Sequence, residues 1–203
     1  MTGRRAIRAR AHHVAIGALV VLLVAGTIAA PAEQSPEEKP EDAAAKPESK
    51  GLSLGGKAPE FSLPDLDGKT VALSDRLKRG PVLIDFWALW CKPCLKSLPG
   101  TDALREKYAA RGLSVLAINT DSPRTAAKVK AYVKSSKFGF EVLTDPNGAM
   151  QRLYRFYRIP QTFLIASDGT IAFSQLGYSP GSEERLAKEI EKVLPPEQGS
   201  KGE

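Results

Sequence analysis

Two residues in this chain combine a nucleophilic atom with a suggestive spacing: Cys91 and Cys94, the only cysteines among 203 residues. A Cys-x-x-Cys pair is too closely spaced to brace a long loop, and two thiols that close can join in place as a disulfide and part again. In an oxidising compartment such a pair is expected to cycle. The chemistry expected is therefore dithiol–disulfide exchange, with Cys91 as nucleophile and Cys94 as the resolving thiol that attacks the mixed disulfide.

The order of roles follows from what surrounds the pair. Val82-Leu83-Ile84-Asp85-Phe86-Trp87 is a nearly continuous run of β-formers, as expected for a central strand buried on both faces. After Cys91, Leu95, Leu98, Leu104 and Tyr108 fit a helix to about Arg111, ended by Gly112 and kinked at Pro99. Cys91 then stands at a helix N-terminus, where free N–H groups and the dipole favour a thiolate. Lys92 adds positive charge beside it, and Pro93 holds the turn. Asp85 interrupts the apolar strand and is costly there without a purpose or a partner. It reads either as the proton acceptor for Cys94 or as a structural carboxylate paired with a lysine of a neighbouring element.

Other chemistries lose ground on composition. The only histidines, His12 and His13, lie far from the pair, so neither a cysteine–histidine hydrolase nor an all-protein zinc site is indicated. No cofactor and no metal are expected beyond the redox-active disulfide itself. Ala88 and Leu89 supply no hydroxyl for a one-cysteine peroxidase. The formal charge of +6 overstates the folded part: four of 29 basic residues and none of the 23 acidic ones fall in residues 1–32, leaving 25 against 23. That balance gives no reason to expect nucleic acid.

Residues 1–32 carry Arg4, Arg5, Arg8 and Arg10 ahead of an apolar run, Val14 to Ala30, which fits both a cleaved export signal and a membrane anchor through residues 14–30. Ala30-Pro31-Ala32 suits cleavage, and Arg4-Arg5 also fits a twin-arginine signal. On every one of these readings the remainder lies outside the cytoplasm, in the periplasm or on the outer face of the membrane. Residues 33–51 are a Pro-, Ala- and Lys-rich linker without a core, 52–194 form one domain, and 195–203 are a tail.

Within 52–194, Phe61-Ser62-Leu63 and Thr70 to Leu73 flank an Asp-Gly turn as a hairpin. Strands follow at Leu113–Ile118, Glu141–Thr144, Gln161–Ala166 and Thr170–Leu176. Helices are expected after Ser122-Pro123, over about Asn147–Phe156, and from a capping Ser182. Strands alternating with helices and ending in a hairpin describe an α/β fold with a central mixed β-sheet flanked by helices.

The segment Asp85-Phe86-Trp87-Ala88-Leu89-Trp90-Cys91-Lys92-Pro93-Cys94 closely resembles the active-site segment of thioredoxins. Gly56-Lys57-Ala58-Pro59-Glu60-Phe61, Val115-Leu116-Ala117-Ile118-Asn119 and Ile159-Pro160-Gln161-Thr162-Phe163 extend the resemblance, from about Gly55 to Leu194, to the TlpA and ResA group of exported or membrane-tethered thioredoxin-like proteins. The resemblance implies a thioredoxin-like fold with an N-terminal β-hairpin and a central helix-strand insertion. It implies a cis Pro160 facing the disulfide, an Ile159 backbone that binds the substrate chain as an added strand, and Trp90 flanking the entrance beside Lys92 and Pro93.

It also implies disulfide-containing exported proteins as clients, reduced with electrons from a membrane thiol carrier. A disulfide oxidant or isomerase, and a non-catalytic module that binds a client or a metal, are the alternatives. Three residues depart from the group: Ser97 stands where an acidic residue is usual, Asp85 where asparagine is, and Leu89 where a small polar residue is.

Overall fold

The computed structural model describes residues 52–196. The readings of 1–32 as signal or anchor, of 33–51 as linker and of the tail beyond Pro196 lie outside the described residues. Among the described residues, no helix is long and apolar enough to cross a membrane.

The hairpin pairs β1 (Ser62–Pro64) with β2 (Thr70–Ala72), Leu63 opposite Val71. Its turn is held by Asp65, whose carboxylate accepts the N–H groups of Asp67 and Lys69 at 2.8 and 2.9 Å. Helix α1 (Leu73–Leu77) follows at once, so Leu73, expected as the end of the second hairpin strand, is the first helical residue. Glu60 accepts the Ser74 N–H at 3.0 Å and Leu73 is buried, so a short segment of weak propensity is fixed by tertiary contacts.

Strand β3 (Val82–Trp87) is buried at all six positions. It pairs in parallel with β4 (Ser114–Asn119) and antiparallel with β6 (Gln161–Ile165). Strand β5 (Glu141–Thr144) extends the sheet beyond β4 and β7 (Ile171–Leu176) extends it beyond β6, giving the order β5-β4-β3-β6-β7. The sheet is mixed, as the alternation of elements predicts.

The period of two along β3 divides the core. Leu83 and Trp87, with Val115, Ala117 and Leu164, face helix α2 (Lys92–Tyr108) and its neighbours α3 (Ala126–Ser136) and α5 (Ser182–Val193). Val82, Ile84 and Phe86 face the other way, onto Leu73 of α1, Met150 of α4 (Ala149–Leu153) and an aromatic group of Phe61, Tyr154 and Phe163. Asp85 falls on the α2 face by this alternation.

Three helix starts differ from expectation. Pro123–Thr125 forms a separate 3₁₀ turn, and α3 begins only at Ala126. Helix α4 is shorter than Asn147–Phe156, because Asp145 caps the N–H groups of Ala149 and Met150, both at 2.9 Å, and Arg155 at φ +52° terminates the segment. Ser182 is the first helical residue of α5 and not its cap. Gly181, at φ +83°, takes the cap position, while the buried Ser182 hydroxyl turns back to accept the Ser179 N–H at 3.1 Å.

Candidate active site

Strand β3 ends at Trp87, and a tight turn brings the chain into α2: the Cys91 N–H donates to the Ala88 carbonyl at 3.1 Å. Cys91 is the cap residue of α2, with Pro93 in the first turn, where a missing N–H costs nothing. The two cysteines form a disulfide with Cα atoms 5.2 Å apart. The Cys94 N–H points at the Cys91 sulfur, 3.3 Å away, so a helix-terminal amide is aimed where a thiolate would need a donor. Cys91 keeps 4% of its surface in contact with solvent and Cys94 none, so Cys91 is the one of the two with any access to solvent.

The surroundings of the pair are exposed and partly apolar. Trp90 is 69% exposed, while Trp87 is fully buried beneath the site. Lys92 and Pro93 lie at the surface and line a groove of about 430 Å³ together with Lys96, Tyr178, Ser179 and Pro180. Neither the groove nor Tyr178 was foreseen, because the loop after β7 carries no motif.

The Ile159–Pro160 peptide bond is cis. Gln161 pairs with Phe86, so Pro160 stands opposite the end of β3 that leads to Cys91. The Pro160 carbonyl accepts the Gly177 N–H at 2.8 Å, and Tyr178, next in the chain, reaches the groove. Ile159 is partly buried against the cluster that contains both cysteines.

Asp85 is 2% exposed, and burial pushes its carboxyl up to about 7 against a weaker opposing effect of a hydrogen bond from Thr101. The Thr101 hydroxyl donates to Oδ2 at 3.0 Å, and Oδ1 is buried with no partner. The alternative of a lysine counterion fails: the residues opposite Asp85 are Ala117 on β4 and Thr162 on β6.

A second buried aspartate escaped the sequence reading. Asp121, just past the end of β4, accepts the Leu89 N–H at 2.7 Å and an Asn119 amide hydrogen at 2.9 Å. It ties the loop before Cys91 to the neighbouring strand. Its signal was positional: loops after the carboxyl ends of parallel strands are where α/β sheets build sites. Among the described residues, no group of three or more histidine, cysteine, aspartate or glutamate side chains could hold a metal ion.

Residues 54–174 match the AhpC/TSA family. Thiol-disulfide oxidoreductase ResA of Bacillus thuringiensis subsp. konkukian (strain 97-27) is 33% identical over 144 residues, 71% of this chain and 80% of the relative. Thioredoxin-like protein YneN of Bacillus subtilis (strain 168) is 34% identical over 128 residues, 63% of this chain and 74% of the relative. In structure, a Chlorobium tepidum protein described as a thiol:disulfide interchange protein DsbE superposes with a TM-score of 0.66 at 35% identity, covering 71% of this chain and 99% of that one.

Proposed function

Because this chain belongs to the AhpC/TSA family, and because Cys91 caps a helix and is joined in a disulfide to Cys94 one turn inside it, we propose that it reduces disulfides of exported proteins. The chain is a thiol-disulfide oxidoreductase. The observation that carries the reading is the asymmetry of the pair: one sulfur at the helix cap with access to solvent, the other sealed one turn inside.

In the reducing direction the Cys91 thiolate attacks a client disulfide. One client sulfur leaves as a thiolate and the other stays bonded to Cys91. Cys94 then gives up its proton, with Asp85 as acceptor, and its thiolate attacks the Cys91 sulfur. The Cys91–Cys94 bond forms, the second client sulfur departs, and the client has gained two electrons. The Ile159 backbone pairs with the client chain beside Pro160, while Trp90, Lys92 and Pro93 form the rim it rests on. A membrane thiol carrier restores the dithiol. The reaction takes place outside the cytoplasm, with residues 14–30 as export signal or tether.

Direction is set by the relative stability of the two redox forms, about 1.4 kcal/mol for each 30 mV. Equilibrating the pair against defined thiol–disulfide buffers is expected to give a potential near thioredoxin's, about −270 mV. A value near about −120 mV would make the protein an oxidant and reverse the proposed electron flow.

A further inference from the structure

The buried carboxylate of Asp85 has one hydrogen-bond partner where a counterion would be expected, and that partner is a threonine. Thr101 is 6% exposed, sits on α2, and donates to Oδ2 at 3.0 Å. It lies seven residues after Cys94, two helical turns or about 10 Å along the same face. The alternation of β3 turns Asp85 toward that face, into the cluster that holds Leu83, Trp87 and both cysteines. Thus the strand, the helix face and the hydroxyl converge on one carboxylate.

Among the described residues, the elements packed around Asp85 bring no competing charge to it. Strand β4 presents Ala117 and β6 presents Thr162. Helix α2 presents Thr101 and, nearer the site, Leu98 and Cys94; α5 presents Leu186 and Ile190 to the same cluster. Among the described residues, burial and the Thr101 hydrogen bond are the two influences on its protonation, and no charged side chain contributes.

We propose that Thr101 is a positioning residue: its hydroxyl holds Asp85 through Oδ2 and stabilises the ionised carboxylate, leaving Oδ1 as the oxygen that takes the proton of Cys94. This rests on the reading of Asp85 as the base of the second exchange step. A hydroxyl suits the task better than a lysine would in one respect. It donates to Oδ2 whether or not Oδ1 carries the proton, so the carboxyl keeps its partner in both protonation states and the ionised form gains more from it. In the balanced step Cys94 loses H⁺ to Asp85 and the new thiolate displaces the client sulfur from Cys91. Asp85 returns the proton to solvent afterwards.

The test uses the reduced full-length protein and 5,5′-dithiobis(2-nitrobenzoate), whose aromatic thiolate is released twice: once on attack by Cys91, and again when Cys94 resolves the mixed disulfide. The pH dependence of the second release reads the deprotonation of Cys94. Thr101→Val and Thr101→Ala are expected to raise its midpoint by about one unit or more, slowing the step about ten-fold just below neutrality and little in alkali. Thr101→Ser retains the parental profile, and so does Thr162→Val, which alters the hydroxyl residue facing Asp85 from β6. On an Asp85→Asn background, Thr101→Val adds nothing.

An unchanged midpoint in both hydroxyl-free variants, with Asp85→Asn altering the profile, overturns the role of Thr101 and leaves the base in place. A profile indifferent to Asp85→Asn overturns the base itself. If Thr101→Ser shifts the midpoint as far as Thr101→Val, packing and not the hydroxyl is responsible, and the proposal falls.

Discussion

Replacing Cys94 by serine is expected to bring catalysed turnover down to the uncatalysed background and to leave Cys91 joined to its clients through stable mixed disulfides. The reason is geometric. Cys91 keeps its place at the α2 cap and its residual access to solvent, so the first attack proceeds. The sulfur that would close the 5.2 Å Cα–Cα gap is gone, and a serine hydroxyl at neutral pH cannot displace a thiolate from a disulfide. Cys91→Ser gives equal loss of turnover with no trapped species, because Cys94 is fully buried and meets no client. Non-reducing electrophoresis followed by mass spectrometry of the adducts separates the two variants. Equal trapping by both would contradict the assignment of nucleophile and resolving thiol.

The second large effect concerns stability. With the folded-state pKa of Asp85 raised to about 7 from 3.8, folded chains retain a proton that unfolded chains lose across that interval. The native state therefore binds more protons there, and stability falls as pH rises from about 4 to about 7, then levels off; below about 4 both states are protonated and the penalty vanishes. The shift corresponds to on the order of 4 kcal/mol. Asp85→Asn removes this dependence. The variant is expected to resist denaturant better than the parent at about pH 8, by several kcal/mol, with the difference vanishing near pH 4. Urea titrations of both proteins across that range check it. A parent whose stability stays flat or rises between about pH 4 and 7 would show Asp85 ionising freely in the fold. A carboxylate that costs stability in this way fits the proposed role of Asp85 as proton acceptor for Cys94.

The parts of the fold that were legible in the sequence are those in which local pattern and tertiary role coincide. Strand β3 was legible because all six of its residues are buried, so the apolar run and the environment agree. The Cys-x-x-Cys at its end was legible because a strand-to-helix junction constrains where the first thiol must sit, and Asp85 because a charge in such a run violates the burial rule. Helix α1 was not: five residues carry too little periodicity, and Glu60 and Leu73 fix it from outside. The cap of α5 misled because a serine before two glutamates fits the cap pattern, yet Gly181 takes the turn and the Ser182 hydroxyl bonds backward.

Two residues that shape the site, Thr101 and Asp121, were invisible for a different reason. Each acts across the fold on a residue 16 or 32 positions away. Only the packing of α2 onto β3, and of β4 beside it, brings these partners together. The same holds for Tyr178, which reaches the groove beside Pro93 through the Gly177–Pro160 hydrogen bond between loops distant in sequence.

The most direct test of the account is a stoichiometric exchange: fully reduced protein is mixed without oxygen with a disulfide-bonded protein such as insulin, and thiols on each molecule are counted by alkylation and mass. The account predicts that each client disulfide lost is matched by one new Cys91–Cys94 bond, with two thiols gained by the client. Client thiols that do not appear while both cysteines stay reduced, at any pH where the protein is folded, would contradict it.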